Sequence, residues 1–175
     1  MRRRPITPLR FLLLAAIVAV LGFAAWTVMQ PRPPVRRVYA DGTEALMVAG
    51  SKLTPVAGFP QTRELRADGE FYLTVLAGTA PLTVRSRLLA LSVPGAAVFR
   101  LTAHANESGE QVEVVSGSVT ARKNYPSSES QPDELGPGEM SMVNQSIDLM
   151  EKERFTVAEA QAWGEDLRRR AEKAR

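Results

Sequence analysis

Apolar and polar positions fall into three successive patterns along this chain, and each predicts a different kind of element. The first is an unbroken uncharged run over residues 11–29, FLLLAAIVAVLGFAAWTVM. As a helix it is about 28 Å long, close to the ~30 Å hydrocarbon core of a bilayer. It predicts a single transmembrane helix. The second pattern covers residues 38–150, where short apolar and β-branched runs alternate with turn signals. The third covers residues 155–175, where Val157, Ala160, Trp163, Leu167, Ala171 and Ala174 recur at helical spacing.

Within the second pattern, strands are expected at 44–48 and 52–56, on either side of Ala49-Gly50-Ser51. Residues 63–66 and 70–75 read as a hairpin joined by Ala67-Asp68-Gly69, because Asp-Gly tolerates positive φ. Further strands are expected at 82–85, 88–93 and 98–103, then at 111–115 and 118–122 around Ser116-Gly117. The polar segment 123–137 reads as a long mobile loop, and 138–144 as the last strand. About ten short strands with no helical period among them predict an all-β sandwich or a solenoid-like roll. Residues 30–37, QPRPPVRR, read as a stiff proline-rich linker. Thr156-Val157-Ala158-Glu159 has the form of a capping box that opens the C-terminal helix, with Phe155 placed to staple onto Ala160.

Charge gives these elements a direction. Arg2, Arg3, Arg4 and Arg10 precede the apolar run with no acid among them. The positive-inside rule then places residues 1–10 in the cytoplasm and the rest of the chain in the periplasm of a bacterium, with the span in the inner membrane. A cleaved signal peptide ending near Gly22-Phe23-Ala24 is the alternative reading of the same leader. The run continues past that point through Trp26 and Met29, which favours a retained anchor. Setting the four leader arginines aside leaves 18 basic residues against 19 acidic ones, so the net charge of +3 reports the leader. No broad basic field for nucleic acid remains.

Candidate chemistry is sparse. The chain has no cysteine and one histidine, His104, in a polar loop, which argues against a zinc site. No Gly-x-Ser-x-Gly and no phosphate loop occurs. We therefore expect no catalytic residues, no cofactor and no metal, and no small-molecule substrate is evident.

The β-region resembles the periplasmic FecR domain family. Asp41-Gly42-Thr43 followed by Gly50-Ser51-Lys52-Leu53 is similar to that family's opening DGT and GS-x-L pattern. Leu65 with Gly69-Glu70-Phe71-Tyr72-Leu73-Thr74-Val75, then Pro81-Leu82-Thr83-Val84, resembles its next strands. Val93-Pro94-Gly95, Val112-Glu113-Val114 with Gly117-Ser118-Val119, Leu135-Gly136-Pro137-Gly138-Glu139 and Ala160-Gln161-Ala162-Trp163 follow in the family's order. The resemblance implies a periplasmic, non-enzymatic all-β module in a transmembrane regulator of an extracytoplasmic-function sigma factor. Residues 1–10 cannot replace that family's sigma-binding helical domain.

These readings combine into a non-catalytic, membrane-anchored scaffold or accessory subunit of a larger inner-membrane complex (bioenergetic, secretion or transport). Its expected partners are integral membrane proteins and the lipid bilayer. Ala15, Ala19, Gly22 and Trp26 are the expected helix-packing positions in the span. Trp163, Leu167, Arg168, Arg169 and Arg170 are the expected partner contacts outside it. A FecR-type signalling regulator working with a separate cytoplasmic partner is the first alternative, and a periplasmic glycan-binding module the second.

Overall fold

The computed structural model describes residues 32–127 and 131–174. The chain divides into two units, Met1–Arg32 and Pro33–Arg175, and the fold described is that of the second. Alternation sets its strands. In β7, Ala97–Ala103, residues Ala97, Phe99, Leu101 and Ala103 are buried, while Val98, Arg100 and Thr102 between them are partly exposed. Such a strand covers a core with one face and leaves the other for a second layer or solvent.

Among the described residues twelve strands form one continuous hydrogen-bonded sheet that folds over at β4, Glu64–Val75. The first half-sheet has the order β1 (Val35–Val38), β2 (Glu44–Met47), β4, β7, β8 (Gly109–Ser116), β11 (Glu139–Asn144), β12 (Leu149–Arg154), all antiparallel. The second half-sheet has the order β3 (Lys52–Pro55), β4, β5 (Leu82–Arg85), β6 (Leu89–Val93), β9 (Val119–Lys123), β10 (Asp133–Leu135). Only the β4–β5 pair among them is parallel. The core lies between the halves, with Phe71, Leu73, Phe99, Val112 and Val114 from one and Leu65, Val84, Leu89, Leu91 and Ala121 from the other.

The fold-over explains a difference from the sequence reading. Asp68-Gly69 is not a hairpin turn. It is a bend inside a single twelve-residue strand. Leu65 and Ala67 pair into the second half-sheet, and Phe71, Leu73 and Val75 into the first, yet all five point into the core. Gly69 has φ +121°, and a Cβ there would lie 2.7 Å from Ser51 Cα. The Glu70 amide donates to Ser51 Oγ at 2.9 Å. Ser51 belongs to the turn that carries the chain from β2 to β3, alongside the bend. Positive φ at Asp-Gly was legible; its use within a strand was not.

Four other expectations change. β10 lies in the segment read as a loop, and β12 follows the strand read as last. β12, LMEKER, is almost wholly exposed, as a charged edge strand should be. β1 begins within the segment read as linker. The helix α1, Val157–Lys173, forms as expected, but Thr156 makes no side-chain capping bond, so the capping box is not closed.

The fold class is corrected in one respect. The transmembrane helix expected over residues 11–29 lies outside the described residues. Among the described residues no helix is long and apolar enough to cross a membrane. α1 is too interrupted by charge (Glu159, Glu165, Asp166, Arg168, Arg169, Arg170, Glu172 and Lys173) to do so. What the structure supports is a mainly β domain with one C-terminal helix.

Candidate partner-binding site

Two buried polar ties hold the scaffold on which the site is built. The first explains the Asp41-Gly42-Thr43 motif. Asp41 accepts from the Thr43 amide at 3.0 Å and from the Thr43 hydroxyl at 2.8 Å. It also accepts from Arg63 Nε at 3.1 Å, with both side chains only 5% exposed. Arg63 spends its other donors on Ala80 O at 2.7 Å and Leu76 O at 2.9 Å. The pair therefore fixes the β1–β2 turn, the start of β4 and the crossing to β5 at one point. The second tie is Glu110, buried at the start of β8. It accepts from the Ser86 hydroxyl and from the Leu88 and Leu89 amides, each at 3.1 Å. Burial raises its pKa, against those hydrogen bonds. It locks the β5–β6 turn of one half-sheet to the other.

α1 lies across the outer face of the first half-sheet and contacts β1, β2 and β8. A second apolar cluster fills the seam: Leu46, Tyr72 and Val115 from the strands, Ala160 and Leu167 from the helix. Gly164 permits the approach, since a Cβ there would sit 2.6 Å from Tyr72 Cζ. A glycine in a helix interior costs about 1 kcal/mol relative to alanine, and close backbone approach is what it gains here. Trp163 is half-buried, its ring 6.3 Å from that of Tyr72 and 4.3 Å below the Arg100 guanidinium. Arg100 also approaches Glu70 at 3.8 Å and Glu113 at 3.6 Å. Burial raises the Glu113 pKa, with Arg100 opposing it.

Beside this seam runs a groove of about 400 Å³, lined by Tyr72, Thr74, Val98, Gln161, Glu165 and Arg168. At its end Arg168 reaches Glu44 at 3.2 Å, and Glu44 pairs with Arg36 at 2.6 Å. Hydrogen bonding from Arg36 is the main reason the Glu44 pKa is lowered.

The five residues expected at a partner surface are thus split. Leu167 is 2% exposed and packs the helix onto its own domain. Trp163 packs there too and is half-exposed. Arg168 is partly tied to Glu44, while Arg169 and Arg170 are exposed and, among the described residues, pair with Asp166 of the same helix, at 2.7 and 3.5 Å. Ala15, Ala19, Gly22, Trp26, Arg2, Arg3, Arg4 and Arg10 lie outside the described residues. His104 stands 3.5 Å from Glu70 in its loop. Among the described residues no three His, Cys, Asp or Glu side chains are grouped to hold a metal ion. Reading the sequence missed Arg63, Glu110 and Gly164. Only the last left a signal, a glycine inside a helical pattern.

This fold has a counterpart among solved structures. The chain is similar to a putative anti-sigma factor from Parabacteroides distasonis. Two crystal structures of that protein match it with TM-scores of 0.65 and 0.64, each at 23% identity. Each match covers 74% of this chain and 59% of that one, so this chain spans about three-fifths of its neighbour's length. At that identity the likeness shows the fold. No protein-family model and no curated protein matches the sequence. FecR-like regulators fall in the class these neighbours name, and the FecR family itself stands as a resemblance carried by the motifs.

Proposed function

We propose that this chain is a regulator of the anti-sigma class, a non-catalytic β-module that transmits a signal by protein contact. The observation that carries the reading is the fold likeness to the Parabacteroides protein, at a TM-score of 0.65 over 74% of the chain. That likeness favours a signalling role over the scaffold reading, for which no observation speaks separately. The contact surface in this proposal is the α1 side of the domain: the half-exposed Trp163, the adjoining groove, and Arg169 and Arg170. Regulation works with a separate partner protein that carries the signal onward.

Deleting the gene and profiling transcripts tests this. A regulator predicts that one promoter class shifts several-fold and recovers on complementation with the intact gene. Unchanged transcripts, together with loss of one stoichiometric membrane complex on gradient separation, would overturn the proposal in favour of an accessory subunit.

A further inference from the structure

Among the described residues the one α-helix rests on β1, β2 and β8, and the face of the second half-sheet that points away from the core carries side chains ordered in rows. Neighbouring strands bring Arg66, Arg85, Ala90 and Arg122 into one row across β4, β5, β6 and β9. The next row holds Glu64, Thr83, Ser92, Thr120 and Glu134. Leu65, Val84, Leu91 and Ala121, which alternate with them, point into the core, so both rows face outward. Ala90 belongs to neither apolar cluster and is the low floor between Arg85 and Arg122. Of these, Thr83, Arg85, Ala90, Ser92, Thr120 and Arg122, with Pro132 at one side, line a cleft of about 400 Å³, and Arg66 stands beside it in the row. Arg85 is tied to Glu64 at 2.9 Å. Arg66 and Arg122 are exposed and have no ion-pair partner among the described residues.

We propose that this face is a docking surface for an extended acidic segment of a partner protein. Its carboxylates would lie over the Arg66–Arg85–Arg122 row, and its polar groups on the Thr83–Ser92–Thr120 row. Strands lie about 4.8 Å apart, so Arg85 and Arg122 are about 10 Å apart at their Cα atoms, with Ala90 leaving room between them. In an extended segment alternate side chains share one face about 7 Å apart, so a run of alternating carboxylates offers several to the row within reach of the long arginine side chains. Planar guanidinium groups match carboxylates in two-point hydrogen bonding. The row is only three arginines long, and Glu64 and Glu134 close the neighbouring row at both ends. That boundary suits a short acidic peptide and opposes a long polyanion. The face lies on the half-sheet that does not carry α1, so the inference stands apart from the α1 surface and from the regulatory reading.

The test is fluorescence anisotropy of the full chain, kept soluble in non-ionic detergent. The probe is a labelled peptide of alternating aspartate and serine, about eight residues long. The expected result is saturable binding that weakens at least about tenfold in the double variant R66Q/R122Q and at high salt. The control R169Q/R170Q on α1 should leave it unchanged. Both pairs are exposed, and circular dichroism confirms that the variants keep the fold. Absence of binding at millimolar peptide, or equal weakening by the α1 control, would overturn the proposal. So would tighter arginine-dependent binding of a sulfated oligosaccharide, which would assign the face to a glycan.

Discussion

Replacing Gly69 by alanine probes the bend that lets one strand serve both layers. Two costs can be worked from the structure. Holding a side-chain-bearing residue at φ +121° costs about 1–3 kcal/mol. The new Cβ also comes within 2.7 Å of Ser51 Cα and 2.3 Å of Ser51 Oγ. The Ser51 turn must therefore move, and the Glu70–Ser51 hydrogen bond, worth about 0.5–1.5 kcal/mol, is lost with it. Together these give about 2–4 kcal/mol, a large part of the ~5–15 kcal/mol that holds a typical domain. At about 2–4 °C per kcal/mol for a chain of this size, the melting temperature should fall by about 5–15 °C. Gly50→Ala is the matched control. Gly50 has φ +92° with no atom within 4 Å of the added Cβ, so it carries the conformational cost alone. Thermal and urea unfolding followed by far-UV circular dichroism should rank Gly69→Ala below Gly50→Ala by at least about 1 kcal/mol. Equal losses would refute the claim that Ser51 and the bend are sterically locked.

Arg63→Met strands the buried Asp41 carboxylate and two carbonyl acceptors, and should cost about 3–5 kcal/mol in urea unfolding; a loss under about 1 kcal/mol would refute a structural role for the Asp41-Gly42-Thr43 motif. Burial raises the pKa of both Glu110 and Glu113, so the native state holds their protons more tightly than the unfolded chain does. Their contribution to stability is fully present below the ordinary glutamate range and is lost as pH rises through the raised values. Glu110→Gln should therefore gain on the wild type as pH rises through that window, and parallel stability–pH curves would exclude Glu110 as a source. Gly164→Val should push α1 off Tyr72 at a cost of about 1–3 kcal/mol. Near-UV circular dichroism and proteolysis of the C-terminal segment should report this while the β signal persists, and an unchanged near-UV spectrum would show that the helix does not rest on that glycine.

Much of the strand pattern was legible because most strands have one face on the core. β5 and β7 alternate buried and half-exposed positions along their length, which hydropathy alone detects. β12 escaped because its last four residues are all charged and leave no apolar alternation, and β10 because three residues set no period. The Asp68-Gly69 bend escaped for another reason. Local conformational preference reports that φ is positive, while only long-range pairing to β2, β3, β5 and β7 decides whether the chain turns back or carries on. At the α1 surface, helical spacing located Trp163 and Leu167. It could not say that Leu167 serves the domain's own core, or that Gly164 makes the contact possible. Arg63 and Glu110 are charged residues whose partners lie 22 and 24 positions away, at Asp41 and Ser86, so no local pattern marks them.

The folded-over strand also dictates an order of events during synthesis. Among the described residues β3 pairs with β4 alone, and β2 with β1 and β4. Until the last residues of β4 leave the ribosome, these early strands hold open edges and have no layer to cover. Completion of β4 supplies the missing edge for β2 and β3 at once, and it presents the templates for β5 and β7 before either has been made. A nascent chain stalled before Val75 is therefore a sticky fragment, and one stalled after it already holds the seed of both layers.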